Sequence, residues 1–433
     1  MKFSNYIFYK RHNLELERFL YGNESLHIIN IKSREKINER FSNKYFYDTS
    51  NEQISVNELK RYKKKFDVIV VTDVIELVDD LNSLIIQLSN ILKNDGKLII
   101  SSINTKFNLI IKIFEFFKLK DLNTRLSYTH NQKIKYILYG YNFEFINTYT
   151  KQIFPFSLFG LGNVVNKIFE VLFFKFNIGI KTYTVFRKKS YKFKNLAKTI
   201  IIPAKNEAGN LNKLVSRIPK FTNSQIIISC GESEDNTFEV ANQIKKFNPK
   251  LNIHVFTQSG KGKANAIWES FKFVKGELIA ILDADISVDP ETLIDFYKII
   301  EENNADFVNG TRLVYQMEKG SMRYLNKIGN RLFQSMISFV IKNPLTDSLC
   351  GTKVFKKDLI NKIFWWQDTF EIFDPFGDFD LLFTAAYSGQ KIVEYPVHYR
   401  SRIYGKTQIS RFKDGFSLLI YFIKSLLAFS ASR

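Results

Sequence analysis

A chain of 433 residues is long enough for two or three domains, each with its own hydrophobic core. Its charged and apolar fractions are typical of a folded, soluble protein. The formal net charge is +20, and the first 193 residues hold about 31 Lys and Arg against about 18 Asp and Glu. The chain is also rich in Lys, Asn, Ile and Phe, which suggests a codon-usage bias, and its aromatic residues do not alternate with basic ones as in nucleic-acid modules. We therefore predict no nucleic-acid partner.

The only two cysteines, Cys230 and Cys350, stand far apart and outside any CxxC pair, which is typical of the reducing cytosol and predicts neither a disulfide nor a zinc site. The N-terminus lacks the apolar core of a signal peptide, and no apolar run reaches about 18 residues, so we predict no transmembrane helix. Segments 153–180 and 416–429 are apolar but interrupted by Lys, Asn or Gly. A buried helix is favoured for the first, whereas the second suits a buried or an interfacial helix equally.

Two segments alternate strands and helices independently on either side of a basic seam at 187–198. We place one domain at 1–190, a second at 195–415 and a C-terminal amphipathic helix at 416–433. The first segment predicts strands at 25–31, 66–75 and 96–104, and a helix at about 79–93. The second predicts strands at 198–204, 225–230, 252–258 and 277–285. They alternate with helices at 206–218, at 235–247 and from about 263. Both segments are therefore α/β, and the second predicts a parallel sheet whose ligand binds at the carboxyl ends of the strands.

Asp283 and Asp285 end the apolar strand ELIAIL with a single alanine between them. Because side chains two apart in a strand share a face, both carboxylates can meet one ligand. Mg²⁺ or Mn²⁺ prefers such oxygen ligands, and a divalent ion neutralises the diphosphate that leaves a nucleotide sugar. Strand-end aspartates can also merely solvate a turn, but polar groups at three other strand ends favour the metal site.

The turn after the first strand of the second segment begins with Pro203 and Ala204 and continues to Asn206 and Glu207. Its polar groups can hydrogen-bond a base or a ribose. Asn206 could equally cap the next helix.

A glycine-rich turn at 258–267 places Lys261 and Lys263 at the start of a helix. Backbone amides at a helix start and two ammonium groups favour the binding of an anion. An ordinary surface turn is also compatible with this sequence.

Residues 198–415 resemble a family 2 glycosyltransferase of GT-A fold through the series PAKNEAGNL, SEDNT, GKGKANAI, LDADISVDPETL, NGTRL, CGTKVF, DPFGDFDLLF and EYPVHYRSRIYGKTQISRF. The tail of this series is also similar to the polyprenyl-phosphate sugar transferases. The resemblance implies that Asp283 and Asp285 contact the ribose, the diphosphate and the metal. It also implies that Pro203 and Glu207 line the nucleotide pocket.

The same resemblance places Asp378 where inverting relatives carry the catalytic base. A hydroxyl acceptor must lose a proton as it attacks, and a positioned carboxylate can accept it. Asp380 is the neighbouring candidate, but residues two apart in a helix project to nearly opposite sides, so only one can face the site and Asp378 is favoured. Asp374 is expected to cap or hold the loop before them.

Arg400, Arg402 and Lys406 could clamp a diphosphate or an acceptor phosphate, or they could form a solvated basic loop. A phosphate acceptor is already anionic and needs no base. The arginines thus favour a phosphate acceptor and Asp378 favours a hydroxyl, and both remain open.

Relatives usually carry an acidic residue at the end of the second strand, where it contacts the nucleobase. This chain has Cys230 and Gly231 there. Glu232 or Asp235 could substitute, although Asp235 is also a plausible helix-start residue, so the base of the donor is left open.

Residues 25–190, and 66–104 above all, resemble a class I S-adenosylmethionine-dependent methyltransferase. Such enzymes need a glycine-rich turn after the first strand, where the backbone approaches the cofactor, but this chain has Lys-Ser-Arg at 32–34. We expect a degenerate domain that keeps the fold without binding the cofactor, with Asp73 and Glu76 structural. The alternative is an unusual loop that still binds it.

The leading hypothesis is a cytoplasmic, inverting glycosyltransferase for cell-surface glycan or glycolipid assembly. It would use a nucleotide-diphosphate sugar, Mg²⁺ or Mn²⁺, and a glycan or polyprenyl-phosphate acceptor. Peripheral contact with the inner face of the membrane would use the basic N-terminal domain and the final helix. The alternatives are a bifunctional enzyme that also methylates the glycan and a non-catalytic scaffold in glycan assembly.

Overall fold

The computed structural model describes residues 12, 14–29, 44–48, 59, 62–75, 81–104, 106, 137–153, 161–173, 176–189, 194–314, 324–374, 376–402, 404 and 411–430. The chain divides into two compact units, Met1–Ser190 with Leu426–Arg433, and Tyr191–Ser425. Each unit is built on its own sheet with helices around it, so the α/β class predicted for both segments is confirmed.

The first unit contains the strands Ser25–Ile29 (β1), Lys44–Asp48 (β2), Phe66–Thr72 (β3), Leu92–Ile103 (β4), Phe143–Lys151 (β5) and Lys181–Lys188 (β6), and the helices Leu81–Ile91 (α1) and Leu161–Leu172 (α2). They form a sheet in the order β2-β1-β3-β4-β6-β5, in which the first four strands are parallel and β6 is antiparallel to both of its neighbours, β4 and β5. In β3, Ile69 and Val71 pack into one core cluster, and Val68 and Val70 pack into another. Both faces of β3 are therefore covered, which explains its uninterrupted β-branched run.

The second unit contains the strands Lys198–Ala204 (β7), Ser224–Cys230 (β8), Asn252–Thr257 (β9), Leu278–Ile281 (β10), Phe307–Thr311 (β11), Lys353–Lys356 (β12) and Ile392–Pro396 (β13). Its helices are Ala208–Arg217 (α3), Thr237–Phe247 (α4), Gly262–Ser270 (α5), Leu293–Glu301 (α6), Tyr324–Ile341 (α7), Leu359–Phe370 (α8) and Asp378–Tyr387 (α9). The helix Arg411–Ser430 (α10) belongs to this unit as far as Ser425. The sheet order is β13-β11-β12-β10-β7-β8-β9. The four predicted strands, β7 to β10, are parallel as expected, whereas β12 runs antiparallel to both its neighbours.

The prediction that the strand extends to residue 285 is wrong, because β10 ends at Ile281. A turn follows, in which the Asp285 carboxylate accepts a hydrogen bond from the Ser287 amide and Ile286 has a φ of 54°. Asp283 and Asp285 therefore lie beyond the strand, and strand alternation does not position their carboxylates.

The prediction of a buried helix within 153–180 is also wrong for the part that the structure describes. In α2, Val164 is 54% exposed, Ile168 is 52% exposed and Leu172 is 65% exposed. The final helix, α10, has one buried face, with Leu418 and Tyr421 on it, and an opposite apolar face that is exposed. Within the described ranges, no helix combines the length and the hydropathy needed to cross a bilayer.

Candidate active site

Four charged side chains from four different elements meet beyond the carboxyl end of β10. The Lys263 Nζ, in the first turn of α5, lies 2.8 Å from the Asp283 Oδ1 and 3.5 Å from the Asp378 Oδ2. Asp378 is the first residue of α9, and its Oδ1 lies 3.3 Å from the Nζ of the buried Lys353 on β12. One lysine thus joins the candidate metal ligand to the candidate base.

Opposite charges stabilise each other in this cluster. Burial by itself would lower the pKa of Lys263, but the Asp283 and Asp378 carboxylates outweigh it and raise that pKa. Burial would likewise raise the pKa of Asp283, yet Lys263 lowers it. Lys263 therefore carries its positive charge, and Asp283 its negative charge, at neutral pH.

Gly351 and Lys353 were not singled out from the sequence, although both lie in the CGTKVF segment of the family series. A Cβ atom on Gly351 would fall 1.9 Å from the Asp283 Oδ2, so only glycine lets the backbone pack against that carboxylate. The register of β10 and β12 pairs Ile281 with Lys353. Only this antiparallel pairing brings the CGTK segment to the aspartates, and the local sequence carries no signal for it.

Asp285 belongs to a second ion-pair group at the same strand end. An Arg402 guanidinium nitrogen lies 2.6 Å from the Asp285 Oδ2, and another lies 3.9 Å from the Glu207 Oε1. Burial raises the pKa of Glu207 and that of Tyr399, and the nearby charges of Asp285 and Asp283 act in the same direction on both. The two aspartates therefore border one region, together with the predicted nucleotide-pocket residue Glu207.

Glu207 is buried, and its carboxylate accepts a hydrogen bond from the Asn210 side chain. Burial raises the pKa of Glu207 from 4.5 to about 7. A carboxyl group whose pKa is raised in the folded state stabilises the fold below its unfolded pKa, and that stability is lost as the pH rises through the folded pKa.

We therefore expect the free energy of unfolding of the nucleotide-free protein to fall more steeply between pH 5 and pH 8 than that of a Glu207→Gln variant. The difference would be up to about 3 kcal/mol. Urea unfolding at the two pH values measures it. A Glu234→Gln variant, which alters an exposed neighbour, should keep the native pH dependence. If the free energy of unfolding falls equally between pH 5 and pH 8 in the native protein and in Glu207→Gln, the raised pKa of Glu207 is contradicted.

The remaining predicted nucleotide-pocket residues lie around the ends of β7 and β8. Pro203 and Ala204 close β7, and Ala204 is buried. Lys261 is exposed and immediately precedes α5. Glu232 is exposed on the loop after β8. Cys230 is fully buried, and burial raises the pKa of its thiol to about 12, so it stays neutral.

Asp235 holds neighbouring loops together. Its carboxylate accepts hydrogen bonds from the Ala208 amide at 3.1 Å, the Thr237 amide at 3.1 Å and the Tyr404 hydroxyl at 3.2 Å. These bonds fit the helix-start alternative for Asp235 better than contact with a nucleobase.

The predicted arginine clamp is engaged in ion pairs. Arg400 lies 2.9 Å from Asp289, whose carboxylate also lies 2.6 Å from Arg217. Arg402 pairs with Asp285, as above. Lys406 lies outside the described residues.

Asp380, although predicted as a second catalytic candidate, lies in the interior. Its carboxylate accepts hydrogen bonds from the Gln367 side chain at 2.6 Å, the Asp374 amide at 3.2 Å and the Tyr421 hydroxyl. Burial raises its pKa to about 6. Positions two apart in a helix point apart, so only Asp378 reaches Lys263, and the structure argues against direct contact between Asp380 and substrate.

Asp374 holds the loop before α9, as predicted. Its carboxylate accepts hydrogen bonds from the Phe376 amide at 3.0 Å and the Phe379 amide at 2.7 Å. Asp374 and Asp380 together therefore fix the position from which Asp378 reaches the site.

Two parts of the chain match known protein families. Residues 199–364 match glycosyl transferase family 2, and residues 28–148 match a methyltransferase domain. A dolichyl-phosphate hexose transferase of Haloferax volcanii is 26% identical over 227 residues, which cover 52% of this chain and 91% of that protein. A dolichol-phosphate mannosyltransferase of Pyrococcus furiosus is 24% identical over 216 residues, 49% of this chain and 58% of that protein.

Among solved structures, glucosyl-3-phosphoglycerate synthase from Mycobacterium tuberculosis, in complex with Mn²⁺, uridine-diphosphate-glucose and phosphoglyceric acid, is 13% identical. The likeness covers 53% of this chain and 80% of that one, with a TM-score of 0.40. The class of the protein is glycosyltransferase. The chain joins a family 2 glycosyltransferase domain to a methyltransferase-like domain that precedes it.

Proposed function

We propose that the protein is an inverting hexosyltransferase that moves a sugar from a nucleotide-diphosphate donor to an acceptor hydroxyl, with Asp378 as the base. The observation that carries this proposal is that Asp283 and Asp378 lie within 3.5 Å of the same Lys263 ammonium group. A donor diphosphate beside Asp283 would place the reacting sugar near Asp378. The Asp378 carboxylate would accept the proton that the acceptor hydroxyl loses.

Asp283 and Asp285 would hold a Mg²⁺ or Mn²⁺, which supplies charge neutralisation for the leaving diphosphate. Two hard oxygen donors fit such an ion, and water and donor oxygens can complete its coordination. Within the described ranges no group of three His, Cys, Asp or Glu side chains could hold a metal, so the donor would have to supply part of the ligand set. The Lys263 ammonium adds a fixed positive charge beside the same diphosphate.

A second candidate acceptor is a polyprenyl phosphate, because the relatives described above are named for dolichyl-phosphate and dolichol-phosphate transfer. The ion pair of Arg400 with Asp289 favours the hydroxyl, since this guanidinium group already binds a carboxylate, whereas a metal bound by Asp285 would release Arg402. Either acceptor would belong to cell-surface glycan or lipid-linked glycan assembly at the cytoplasmic face of a membrane. The exposed apolar face of α10, which includes Phe416, would support peripheral contact there.

The N-terminal domain is proposed to have lost S-adenosylmethionine binding. Asp73, at the end of β3, forms an ion pair with the buried Lys181, which supports a structural role for this acidic residue. Residues 32–34 and Glu76 lie outside the described residues.

A thermal-shift panel on the full chain tests both domains. Nucleotide sugars with Mn²⁺ or Mg²⁺ should raise the apparent stability, by about 2.7 kcal/mol at a concentration 100 times the Kd, and the same donors without metal should do so less. S-adenosylmethionine should leave every transition unchanged. A response to this cofactor would favour the bifunctional enzyme. Failure of every donor to shift any transition would favour the non-catalytic scaffold.

A further inference from the structure

In the helix α2 of the methyltransferase-like domain, the apolar face is exposed and the polar face is buried. Val164, Ile168 and Leu172 recur every four residues on one face, and each is more than half exposed. Its polar residues Asn166 and Glu170 are 3% and 5% exposed, and Glu170 accepts a hydrogen bond from the Gln152 amide. A water-facing helix of a soluble domain shows the opposite arrangement.

Aromatic rings extend this apolar face beyond the helix end. Phe169 and Phe173 stack with ring centroids 5.6 Å apart, and Phe173 approaches Phe176 at 6.3 Å. Phe169 is 41% exposed and Phe176 is 60% exposed. Among the described residues these rings contact one another, and exposed apolar side chains occur both on α2 and at Phe176 beyond its end. A patch of this kind marks an interaction site.

The surroundings are basic. Lys167 on α2 is exposed, and the exposed Lys106 donates a hydrogen bond to the Phe176 carbonyl oxygen. The first 193 residues carry an excess of about 13 positive charges. A second copy of the chain would bring the same positive charge to the patch, whereas anionic lipid headgroups would complement it.

We propose that this surface, formed by Val164, Ile168, Phe169, Leu172, Phe173 and Phe176, docks on an anionic lipid bilayer. Its apolar side chains enter the headgroup–acyl boundary while the lysines bind headgroup phosphates. The methyltransferase-like domain thereby holds the glycosyltransferase at the membrane. This inference rests on the proposed membrane location of the acceptor and not on the chemistry of the donor site.

Flotation of the full chain with phosphatidylserine-containing vesicles and with neutral phosphatidylcholine vesicles tests it. The native protein should float with the anionic vesicles, more strongly at low salt than at high salt. An Ile168→Ser/Leu172→Ser double variant should lose at least about tenfold in lipid partitioning, because two apolar side chains no longer enter the bilayer. A Phe247→Ser variant, which replaces a 75% exposed aromatic residue on α4, is the matched control and should float like the native protein.

The thermal shift with a nucleotide sugar should be the same in the native protein and the double variant, which separates this test from that of the proposed donor site. An Ile423→Ser variant on α10 reports the contribution of the final helix. Native-like flotation of the double variant, equal binding to neutral vesicles, or the absence of native binding would each overturn the proposal. So would a native dimer that the double variant dissociates, because a second copy would then cover the surface.

Discussion

An Asp378→Asn variant is expected to lose about 10²–10⁴-fold in kcat, since an amide cannot accept the proton of an attacking hydroxyl. The carboxylate lies between the Lys263 and Lys353 ammonium groups and faces the same region as Asp283. Asparagine keeps its size, so the fold should persist. Donor affinity should change little, because the proposed donor ligands are Asp283 and Asp285. Initial rates with a saturating donor, together with a donor thermal shift, measure the two effects.

An Asp368→Asn variant is the matched control, because it makes the same change at an exposed position on α8 and should retain native turnover. Near-native turnover of Asp378→Asn would contradict the role of Asp378 as the base. It would favour a phosphate acceptor, which needs no deprotonation. A loss of donor binding in step with turnover would instead show that Asp378 acts on the nucleotide sugar.

An Asp283→Asn variant is expected to lose at least about 100-fold in kcat/KM, because a metal at the diphosphate supplies several kcal/mol of charge stabilisation. The amide has the same shape and still fits against Gly351, so packing is preserved while one anionic ligand is lost. The remaining turnover should need a higher Mn²⁺ or Mg²⁺ concentration than the native enzyme. Metal titrations of turnover measure this requirement, and the Asp368→Asn protein again serves as the control.

Removal of metal by a chelator should abolish native turnover, and added Mn²⁺ should restore it. A native enzyme that works equally well in chelator would exclude the metal role. An Asp283→Asn enzyme with a native metal requirement would place the ion elsewhere.

Much of the architecture could be predicted from sequence, because strands and helices follow local periodicity. The β-branched run of β3 predicts a strand covered on both faces, and the alternation from β7 to β10 predicts a parallel sheet. The residue types at strand ends predicted Asp283, Glu207 and Lys263 as candidate ligand-binding residues, since ligands of such sheets bind there. The two-residue spacing of Asp378 and Asp380 was enough to predict that only one of them reaches the site.

Features that depend on distant pairings could not be read in this way. β10 ends at Ile281 instead of running to residue 285, and the antiparallel register of β12 brings Lys353 to the aspartates. Arg400 forms an ion pair with Asp289, which lies far from it in sequence.

Whether the apolar face of α2 is buried or exposed also could not be predicted from the sequence. Its apolar spacing is equally compatible with a buried and an exposed face, and only its packing, with Asn166 and Glu170 inside, distinguishes them. Local spacing specifies which residues share a face of a helix or strand. The partner of that face depends on long-range packing, which the spacing of one segment does not encode.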